Sequence, residues 1–416
     1  MSTLTAICAS PPLPNPGMAS VDLALYFLVK NYFPTTNIEF NFLYFPHERN
    51  PELSSEKIKK FKSWHSIPFK YKSCRDNFEE IYKSNAIVYW GDFLHSREYL
   101  YQMAYICQQI GLTVSFEDAL ELVLRSFYLK NAPDNVIRRT LSFGGTLIFN
   151  RVRDYQDRQY YSNLWKLFSN SKGTWMRDIY SCAKVNKITY NNNRKGVDCA
   201  LLLRDQDILL LPRSDFFNQR RNEKIAGVFF CRSHTFNKEI VLFIKELCAR
   251  LEVNAEWFPW FPSFILPNYL PDFLDSFPEM ESNISGSFPK LGDLLLRLSQ
   301  YNFVITDTYH ICLNAWRYGI PAICIGEVFS NEAHDISNGW KFSWRDKRQT
   351  FYFMHDAMDF YVHREEILSS KEKDARLNHI ADIVRDKQVI SSIFNDIKRQ
   401  ADIASEDFIR ELKYLL

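Results

Sequence analysis

The sequence predicts an α/β protein made of two domains, each built around a parallel sheet. The first observation is length, since 416 residues are enough for two domains that each bury a core. The second is the alternation of apolar β-branched runs with segments of helical spacing in both halves. The third is residues 301–327, which read strand, helix, strand with only short connections. This alternation is typical of right-handed βαβ units and therefore of parallel sheets.

In the first half, strands and helices follow each other from the N-terminus. Leu4–Cys8 begins the series as a strand, and a helix-like segment starts at Val21 with Ser20 in the N-cap position. Gly144 and Gly145 within an apolar run indicate a sharp turn or a close backbone approach. Further strands are predicted over Asn37–Phe45, Ala86–Tyr89, Thr174–Met176 and Val197–Leu203, and helices over Tyr99–Ile110 and Phe116–Leu129. We expect the first domain to span residues 1–210.

The second domain repeats the alternation, and we expect it to span residues 223–400. Its strands are predicted over Ile225–Cys231, Ala255–Phe258, Phe303–Thr306 and Pro321–Ile325, and its helices over Asn237–Leu251, Asp293–Gln300 and Thr308–Tyr318. A loop and strand rich in aromatic residues should follow Glu327, and residues 356–369 and 373–416 are expected to be helical. The helix at 401–416 is expected to cross back to the first domain. Two Rossmann-like domains facing each other across a cleft form the GT-B architecture, which is the fold class we predict.

Charge and cysteine usage disfavour several classes of function. Lys+Arg 51 against Asp+Glu 49 leaves a net charge of +2, which disfavours a nucleic-acid partner. The nine cysteines are scattered without a CxxC pair, so we expect reduced thiols rather than disulfides or a zinc site. Neither a DxD followed by a strand nor an HxxxH spacing is present. We therefore predict no metal and no cofactor.

The sequence also bears on location. No segment approaches the ~20 apolar residues of a membrane-spanning helix, and the N-terminus lacks the pattern of a signal peptide. We therefore expect a cytoplasmic protein. The basic residues between Arg345 and Arg348 suit an anionic surface, so a peripheral position at the inner face of the membrane belongs to this expectation.

Two polar residues that follow strands of the second domain are the best candidates for chemistry. Arg232 follows the strand 225–231, and His310 lies at the start of the helix after the strand 303–306. The carboxyl ends of parallel strands meet at one edge of a sheet, where anionic ligands bind. A guanidinium offers phosphate or carboxylate oxygens a bidentate fork. An imidazole with an unperturbed pKa near ~6.5 can take up and release a proton near neutrality, and the helix dipole there favours its neutral form.

The same kinds of residue also have structural interpretations. Arg232 could pair with Glu256 or Asp307, and a histidine at a helix start often serves only as a cap or as filling at a domain seam. Arg177 and Asp178 follow a predicted strand, where the two charges could satisfy each other.

Four segments, in order, resemble one known family. Arg177–Ser181 is similar to a family block with the pattern RDxxS, and Val197–Leu201 is similar to its DPAFLL strand. Gly227–Arg232 resembles a strand that ends in arginine, and Val304–Ile325 resembles the core V..SRLHG...A...G.P.I.L. On these segments the chain is identified as a divergent member of the polysaccharide pyruvyl transferases, over about residues 140–330.

The resemblance implies a GT-B-like transferase of capsule or exopolysaccharide biosynthesis. Such an enzyme moves the enolpyruvyl carbons of phosphoenolpyruvate onto a pair of sugar hydroxyls of a glycan or lipid-linked glycan as a ketal. The family histidine is His310, but the family arginine is replaced by Thr308, so the donor could be a related anionic compound. Lys341 or Arg345 would then replace the missing charge. The family's N-terminal loop, which usually resembles GNxGDE, corresponds to Asn15–Asp22 here, and only traces of it survive.

These arguments predict three sets of functional residues. The predicted catalytic residues are His310, Arg232 and Asp22. The predicted donor-binding residues are Arg232, Thr308, Tyr309, His310, Glu327, Lys341 and Arg345. The predicted acceptor-binding residues are Asp92, Arg177 and Trp260.

Two rival functions remain open. A GT-B nucleotide-sugar glycosyltransferase would hold a ribose or a donor sugar with Glu327 and would use Asp22 or Asp92 as acid or base. A non-catalytic glycan-binding relative would stack sugar rings on the aromatic loop at Trp257–Phe264, in a chain with 16% aromatic residues. The ligand that stabilises the protein would discriminate among the three.

Overall fold

The chain forms two compact units. The computed structural model describes residues 2–8, 15–44, 67–74, 76–92, 94–189, 193–213, 224–231, 237–260, 275, 289–326, 334–335, 341–342 and 346–416. The first unit comprises Met1–Leu13, Met18–Leu203 and Gln400–Leu416. The second unit comprises Pro14–Gly17 and Arg204–Arg399. Each unit is built on its own parallel sheet.

The first unit contains a seven-stranded parallel sheet with the order β3-β2-β1-β4-β5-β6-β7. Its strands are β1 Ser2–Cys8, β2 Ile38–Tyr44, β3 Tyr71–Ser73, β4 Ala86–Trp90, β5 Thr140–Gly145, β6 Gly173–Met176 and β7 Asn193–Lys195. Its helices are Pro16–Tyr32, Phe78–Lys83, Arg97–Gln109, Phe116–Tyr128, Asp134–Ile137, Arg158–Asn170 and Ile179–Ile188, with 3-10 turns at Val152–Gln156 and Cys199–Leu202. Strands alternate with helices, as the sequence predicts.

Local sequence explains where these helices begin. The side chains of Ser96, Ser115 and Asp157 each accept a hydrogen bond from a backbone N–H of the first helical turn that follows. Such caps satisfy donors that have no partner inside the helix. The central strand β4 is buried along its whole length, as a strand covered on both faces should be.

The C-terminal segment packs into the core of the first unit. The ring of Phe408 lies 5.4 Å from Trp90, 5.2 Å from Phe143 and 5.6 Å from Trp175, between ring centroids. The Trp175 indole N–H donates to Asp407 at 2.9 Å. The end of the chain therefore supplies part of the apolar contact surface of strands β4, β5 and β6.

The second unit contains a five-stranded parallel sheet with the order β14-β11-β10-β8-β9. Its strands are β8 Ile225–Phe229, β9 Asn254–Trp257, β10 Phe303–Thr306, β11 Ala322–Gly326 and β14 Tyr361–His363, and the short strands β12 His334–Asp335 and β13 Lys341–Phe342 pair separately. Its helices are Asp205–Leu209, Lys238–Leu251, Leu291–Leu298, Tyr309–Arg317, Lys347–Met354, Arg364–Leu368 and Ser370–Arg385, with a 3-10 turn at Met358–Phe360. The helix Lys387–Lys413 begins in this unit and ends in the first.

The unit predicted over 301–327 is confirmed. Strands β10 and β11 pair in parallel, with Val304 opposite Ala322, and the helix Tyr309–Arg317 connects them. Gly319 ends this helix with φ +73°, a left-handed conformation that favours glycine.

Three local predictions are wrong. Residues 356–369 are not all helical, because Tyr361–His363 pairs with β11 as an edge strand. The aromatic segment predicted as loop and strand contains the helix Lys347–Met354, which Asp346 caps. Val197–Leu203 is not a strand, because Asp198 accepts from the Ala200 N–H and starts a 3-10 turn. In each case a cap or a strand partner overrides the local pattern.

Candidate functional site

The strand order of the second unit places its candidate site between β8 and β10. β8 pairs with β9 on one side and with β10 on the other, so the connections leave the sheet in opposite directions there. Ligands of open α/β sheets bind in the crevice at the carboxyl ends of such strands. Cys231 follows β8, and Asp307 and Thr308 follow β10. We call these residues, together with Tyr309 and His310, the second rim.

Hydrogen bonds between Cys231, Thr306, Asp307 and Thr308 organise the second rim. The fully buried Asp307 carboxylate accepts from the Cys231 backbone N–H at 3.0 Å and lies 3.1 Å from the Thr308 hydroxyl. The same hydroxyl lies 3.2 Å from the Cys231 sulfur. The Thr308 N–H donates to the hydroxyl of Thr306 at 3.0 Å. These contacts connect the two strand ends and fix the backbone from which the next helix starts.

His310 is the second residue of the helix Tyr309–Arg317 and is half-buried. Its ring centroid lies 5.4 Å from that of Tyr309, and its carbonyl accepts from the Asn314 amide at 2.8 Å. Gly17, which belongs to the same unit, lies so close to the imidazole that any side chain at position 17 would overlap it. His310 is therefore held in place by its neighbours while part of it stays accessible.

A buried ion pair that sequence reasoning missed ties the second rim to the neighbouring strand. Arg348 donates to the Asp307 carbonyl at 3.0 Å and to the Ile325 carbonyl at 3.4 Å, which joins the ends of β10 and β11. Its guanidinium also binds Asp346 at 2.6 Å, and Tyr361 of β14 donates to the same carboxylate at 2.9 Å. The Asp-x-Arg spacing before a helical pattern was the available signal, but it does not identify the backbone carbonyls.

Arg232, Glu327, Arg345 and the side chain of Lys341 lie outside the described residues. Their roles therefore stay predictions.

Glu256, one of the two carboxylates predicted as possible partners of Arg232, binds other residues. It forms a buried ion pair with Arg297 and accepts from the Tyr301 hydroxyl at 2.7 Å. Asp307, the other candidate, accepts from Cys231 as described above.

In the first unit, the corresponding crevice lies between β1 and β4, and Asp22 is next to it. Asp22 is 1% exposed and accepts hydrogen bonds from Tyr71 and from Cys8, the last residue of β1. The Trp90 indole, at the end of β4, donates to the Val21 carbonyl at 2.7 Å. Burial raises the pKa of Asp22 to about 7, although both hydrogen bonds lower it. This carboxyl can therefore exchange a proton near neutral pH.

Asp92 lies beside the same crevice in a left-handed backbone conformation. Gly91 and Asp92 follow β4 with φ of 78° and 51°, and the Asp92 carbonyl accepts from the Thr146 N–H at 3.0 Å. Aspartate adopts this conformation more readily than most residues, and such positions are often found at ligand sites. The predicted close approach is also confirmed, because Gly144 has φ +72° and leaves no room for a side chain against Cys199.

Arg177 pairs with Asp198 and not with its neighbour Asp178. The Arg177–Asp198 distance is 2.9 Å, and both side chains are buried. Asp178 instead caps the helix Ile179–Ile188 by accepting from the Ser181 N–H at 2.7 Å. The prediction that Arg177 and Asp178 form an ion pair with each other is therefore wrong. The Asp178 carboxylate instead accepts from the backbone N–H at the start of the next helix. A role of Arg177 toward an acceptor stays a prediction.

Trp260 is fully buried, with its ring centroid 5.4 Å from that of Phe258. Trp257, at the end of β9, is also fully buried. In this conformation neither ring offers a face to a sugar, so the predicted acceptor contact of Trp260 would need the surrounding chain to move.

The described residues contain neither a cluster of metal ligands nor a membrane-spanning helix. Among them, no group of three or more His, Cys, Asp or Glu side chains is arranged to hold a metal ion. None of the helices that the structure describes is long and apolar enough to cross a membrane.

Comparison with known families gives one match over most of the chain. Residues 22–327 match the family described as polysaccharide pyruvyl transferase. The matched region contains Asp22, strands β4, β8 and β10, and the whole second rim. No curated protein matches the sequence.

Solved structures with similar folds include UDP-GlcNAc 2-epimerases at low sequence identity. The enzyme from Methanocaldococcus jannaschii has a TM-score of 0.52 and 12% identity, with 99% of each chain covered. The enzyme from Neisseria meningitidis, bound to UDP-GlcNAc, has a TM-score of 0.53 and 12% identity, with 100% of each chain covered. The enzyme from Rickettsia bellii has a TM-score of 0.50 and 10% identity, covering 100% of this chain and 97% of its own. These similarities confirm the predicted GT-B-like α/β fold.

Proposed function

Since the chain belongs to the polysaccharide pyruvyl transferase family, we propose that it transfers a pyruvyl group from an anionic donor to a glycan. Phosphoenolpyruvate is the donor we expect, and a pair of sugar hydroxyls is the acceptor. The observation that carries this proposal is the second rim, where hydrogen bonds join Cys231 after β8 to Asp307 and Thr308 after β10, next to His310.

The reaction we propose conserves atoms and charge without a redox step. One sugar oxygen bonds to C2 of the enolpyruvyl group while C3 takes up a proton and becomes a methyl group. The C2–O bond to phosphate breaks, and the second sugar oxygen bonds to C2 to close the ketal. Of the two hydroxyl protons, one is accounted for at C3 and the other leaves with the phosphate.

Two residues are proposed to move these protons. His310 lies at the second rim with its imidazole half-buried, which suits proton transfer to or from the donor. Asp22 lies at the crevice of the first unit with a pKa of about 7, which suits a base that takes a hydroxyl proton near neutral pH. Arg232, Tyr309, Glu327, Lys341 and Arg345 remain proposed donor contacts, and Asp92 remains a proposed acceptor contact.

A nucleotide-sugar glycosyltransferase is the second candidate. It is favoured by the fold shared with the Neisseria meningitidis enzyme, which was solved bound to UDP-GlcNAc. Glu327 would then contact the ribose or the donor sugar. A non-catalytic glycan-binding role receives less support, because Trp257 and Trp260 are buried.

A melting-temperature screen of the full chain separates these functions. We expect phosphoenolpyruvate to raise the melting temperature, because a ligand at about one hundred times its Kd adds ~2.7 kcal/mol to the free energy of unfolding. Nucleotide sugars such as UDP-GlcNAc, and inorganic phosphate, form the comparison set. If only a nucleotide sugar raised the melting temperature, the proposal of pyruvyl transfer would be wrong and the glycosyltransferase would be supported. Stabilisation by glycan fragments alone would favour the binding module.

A further inference from the structure

Arg348 contacts the second rim through the Asp307 carbonyl, but its guanidinium is fully engaged by protein groups. Its Nε and Nη2 atoms bind Asp346, and its Nη1 atom binds the carbonyls of Asp307 and Ile325. It is also only 2% exposed. A cation for an anionic ligand at this rim must therefore come from another side chain.

Lys347 stands between two buried, hydrogen-bonded residues. Asp346 and Arg348 are 5% and 2% exposed, whereas Lys347 is half-buried. Because both neighbours are held against β10, β11 and β14, the backbone of Lys347 has little freedom to move away from the rim. The ion pair between Asp346 and Arg348 therefore fixes the position of the Lys347 Cα atom.

The Lys347 side chain extends toward the residues of the second rim. Its Nζ atom lies 4.9 Å from the centroid of the Tyr309 ring. Tyr309 stands between Thr308 and His310 in the chain. An ammonium at this distance is attracted to an aromatic face, which favours this conformation over one that points into solvent. The positive charge is therefore kept beside the residues proposed to bind the donor.

The proposed donor requires such a charge. A pyruvyl group carries a carboxylate, and its enol phosphate adds a phosphate group. An ammonium binds both kinds of oxygen as a point charge and donates up to three hydrogen bonds. We propose that Lys347 is a donor-binding residue whose ammonium contacts the carboxylate or the phosphate of the donor at the second rim. This inference rests on the proposed function, because it takes the donor to be anionic and bound there.

The test is calorimetric titration of phosphoenolpyruvate into the full chain and its variants. Lys347→Ala should weaken binding at least tenfold, since it removes a charge-assisted contact. Lys347→Arg should stay within about threefold of the natural protein, because it keeps the charge. Added salt should weaken binding to the natural protein more than binding to Lys347→Ala. If Lys347 had only a structural role, Lys347→Arg would not retain affinity better than Lys347→Ala. The natural protein and Lys347→Ala would then also respond equally to salt.

Lys387→Ala is the matched control. Lys387 is also the first residue of a helix in the second unit, and it is exposed. Phe394, two turns further along this helix, contacts Gly319. Gly319 follows the C-terminal end of the helix Tyr309–Arg317, whereas the second rim is at its N-terminal end. This control should leave both the affinity and the melting temperature unchanged.

The outcomes separate the inference from the proposed function. Equal affinity of the natural protein and Lys347→Ala for phosphoenolpyruvate overturns the role of Lys347 and leaves pyruvyl transfer standing. Binding of UDP-GlcNAc without phosphoenolpyruvate overturns pyruvyl transfer. In that case, weaker UDP-GlcNAc binding by Lys347→Ala supports Lys347 as an anion contact, and unchanged binding overturns it. Binding of neither ligand by the natural protein overturns both.

Discussion

Asp22 shows how burial changes the chemistry of a single side chain. An exposed aspartate is charged at neutral pH, but this one is 1% exposed at the crevice between β1 and β4. Removal from water disfavours the charged form and raises the pKa to about 7, and the hydrogen bonds from Tyr71 and Cys8 offset only part of this effect. A carboxyl that would be almost fully ionised at pH 5 in water is therefore only half ionised near pH 7.

The raised pKa of Asp22 predicts a pH dependence of stability. A carboxyl whose pKa is higher in the folded than in the unfolded state stabilises the fold fully below its unfolded pKa. That contribution is lost as the pH rises from about 4 to about 7, by at most roughly 4 kcal/mol. Asp22→Asn removes the titrating group, so its free energy of unfolding should fall less than that of the natural protein over this range.

Denaturant unfolding at pH 5 and pH 8 measures this difference. Asp76→Asn, an exposed carboxyl in the same unit, is the control and should follow the natural protein. Parallel pH profiles for the natural protein and Asp22→Asn would show that the carboxyl is not buried in this way.

At the scale of elements, the ion pair of Asp346 and Arg348 connects three neighbouring strands of the second unit. Arg348 donates to the carbonyl of Asp307, which follows β10, and to that of Ile325 in β11. The hydroxyl of Tyr361 in β14 donates to Asp346. Although burial raises the pKa of Asp346, the charge and hydrogen bonds of Arg348 lower it overall, so the pair stays ionised. Buried pairs of this kind are sensitive to the loss of one partner, because the other charge is left without compensation.

Arg348→Met should therefore lower the free energy of unfolding of the second unit by about 3–5 kcal/mol. The double variant Asp346→Leu/Arg348→Met should recover part of this loss, because no buried charge is then left uncompensated. Chemical denaturation followed by circular dichroism measures both variants.

An exposed ion pair supplies the control for this prediction. Arg399 pairs with Asp396 at 2.6 Å, and its side chain is 64% exposed. Arg399→Met should change the free energy of unfolding by no more than about 1 kcal/mol. Similar losses for Arg348→Met and Arg399→Met would contradict the role given to the buried pair.

At the scale of the whole molecule, the two ends of the chain belong to the same unit. Residues 400–416 complete the core of the first unit through Phe408, and Arg194 next to β6 binds Asp407 at 3.0 Å and Glu411 at 2.9 Å. The Ser2 hydroxyl donates to the Leu416 carbonyl at 2.8 Å. The first unit is therefore built from segments that lie far apart in the sequence.

Phe408→Ala should lower the free energy of unfolding of the first unit by about 3–5 kcal/mol, because it leaves a cavity among Trp90, Phe143 and Trp175. Chemical denaturation followed by circular dichroism measures this loss. Ile403→Ala is the control in the same segment, since Ile403 is 57% exposed and should lose little. A loss of similar size in both variants would argue against this packing.

Local sequence was sufficient where the pattern itself carries the structure. The unit at 301–327 was predictable because its strand, helix and strand are each marked by spacing, and Gly319 marks the end of the helix. The turn at Gly144 was predictable for the same reason, since only glycine fits the backbone conformation and the space there. The ordered motifs also pointed to the family that covers residues 22–327.

Tertiary structure decided what depends on residues far apart in the sequence. Arg177 meets Asp198, Arg348 meets the carbonyl of Asp307, and Lys347 lies over Tyr309 only after the strands have been ordered. Tyr361–His363 is too short to show a period, so its pairing with β11 made it a strand. The sequence by itself determined the elements and the family, because spacing and motifs are local. The partners of the buried charges could come only from the fold, because a charge is satisfied by whatever lies beside it in space.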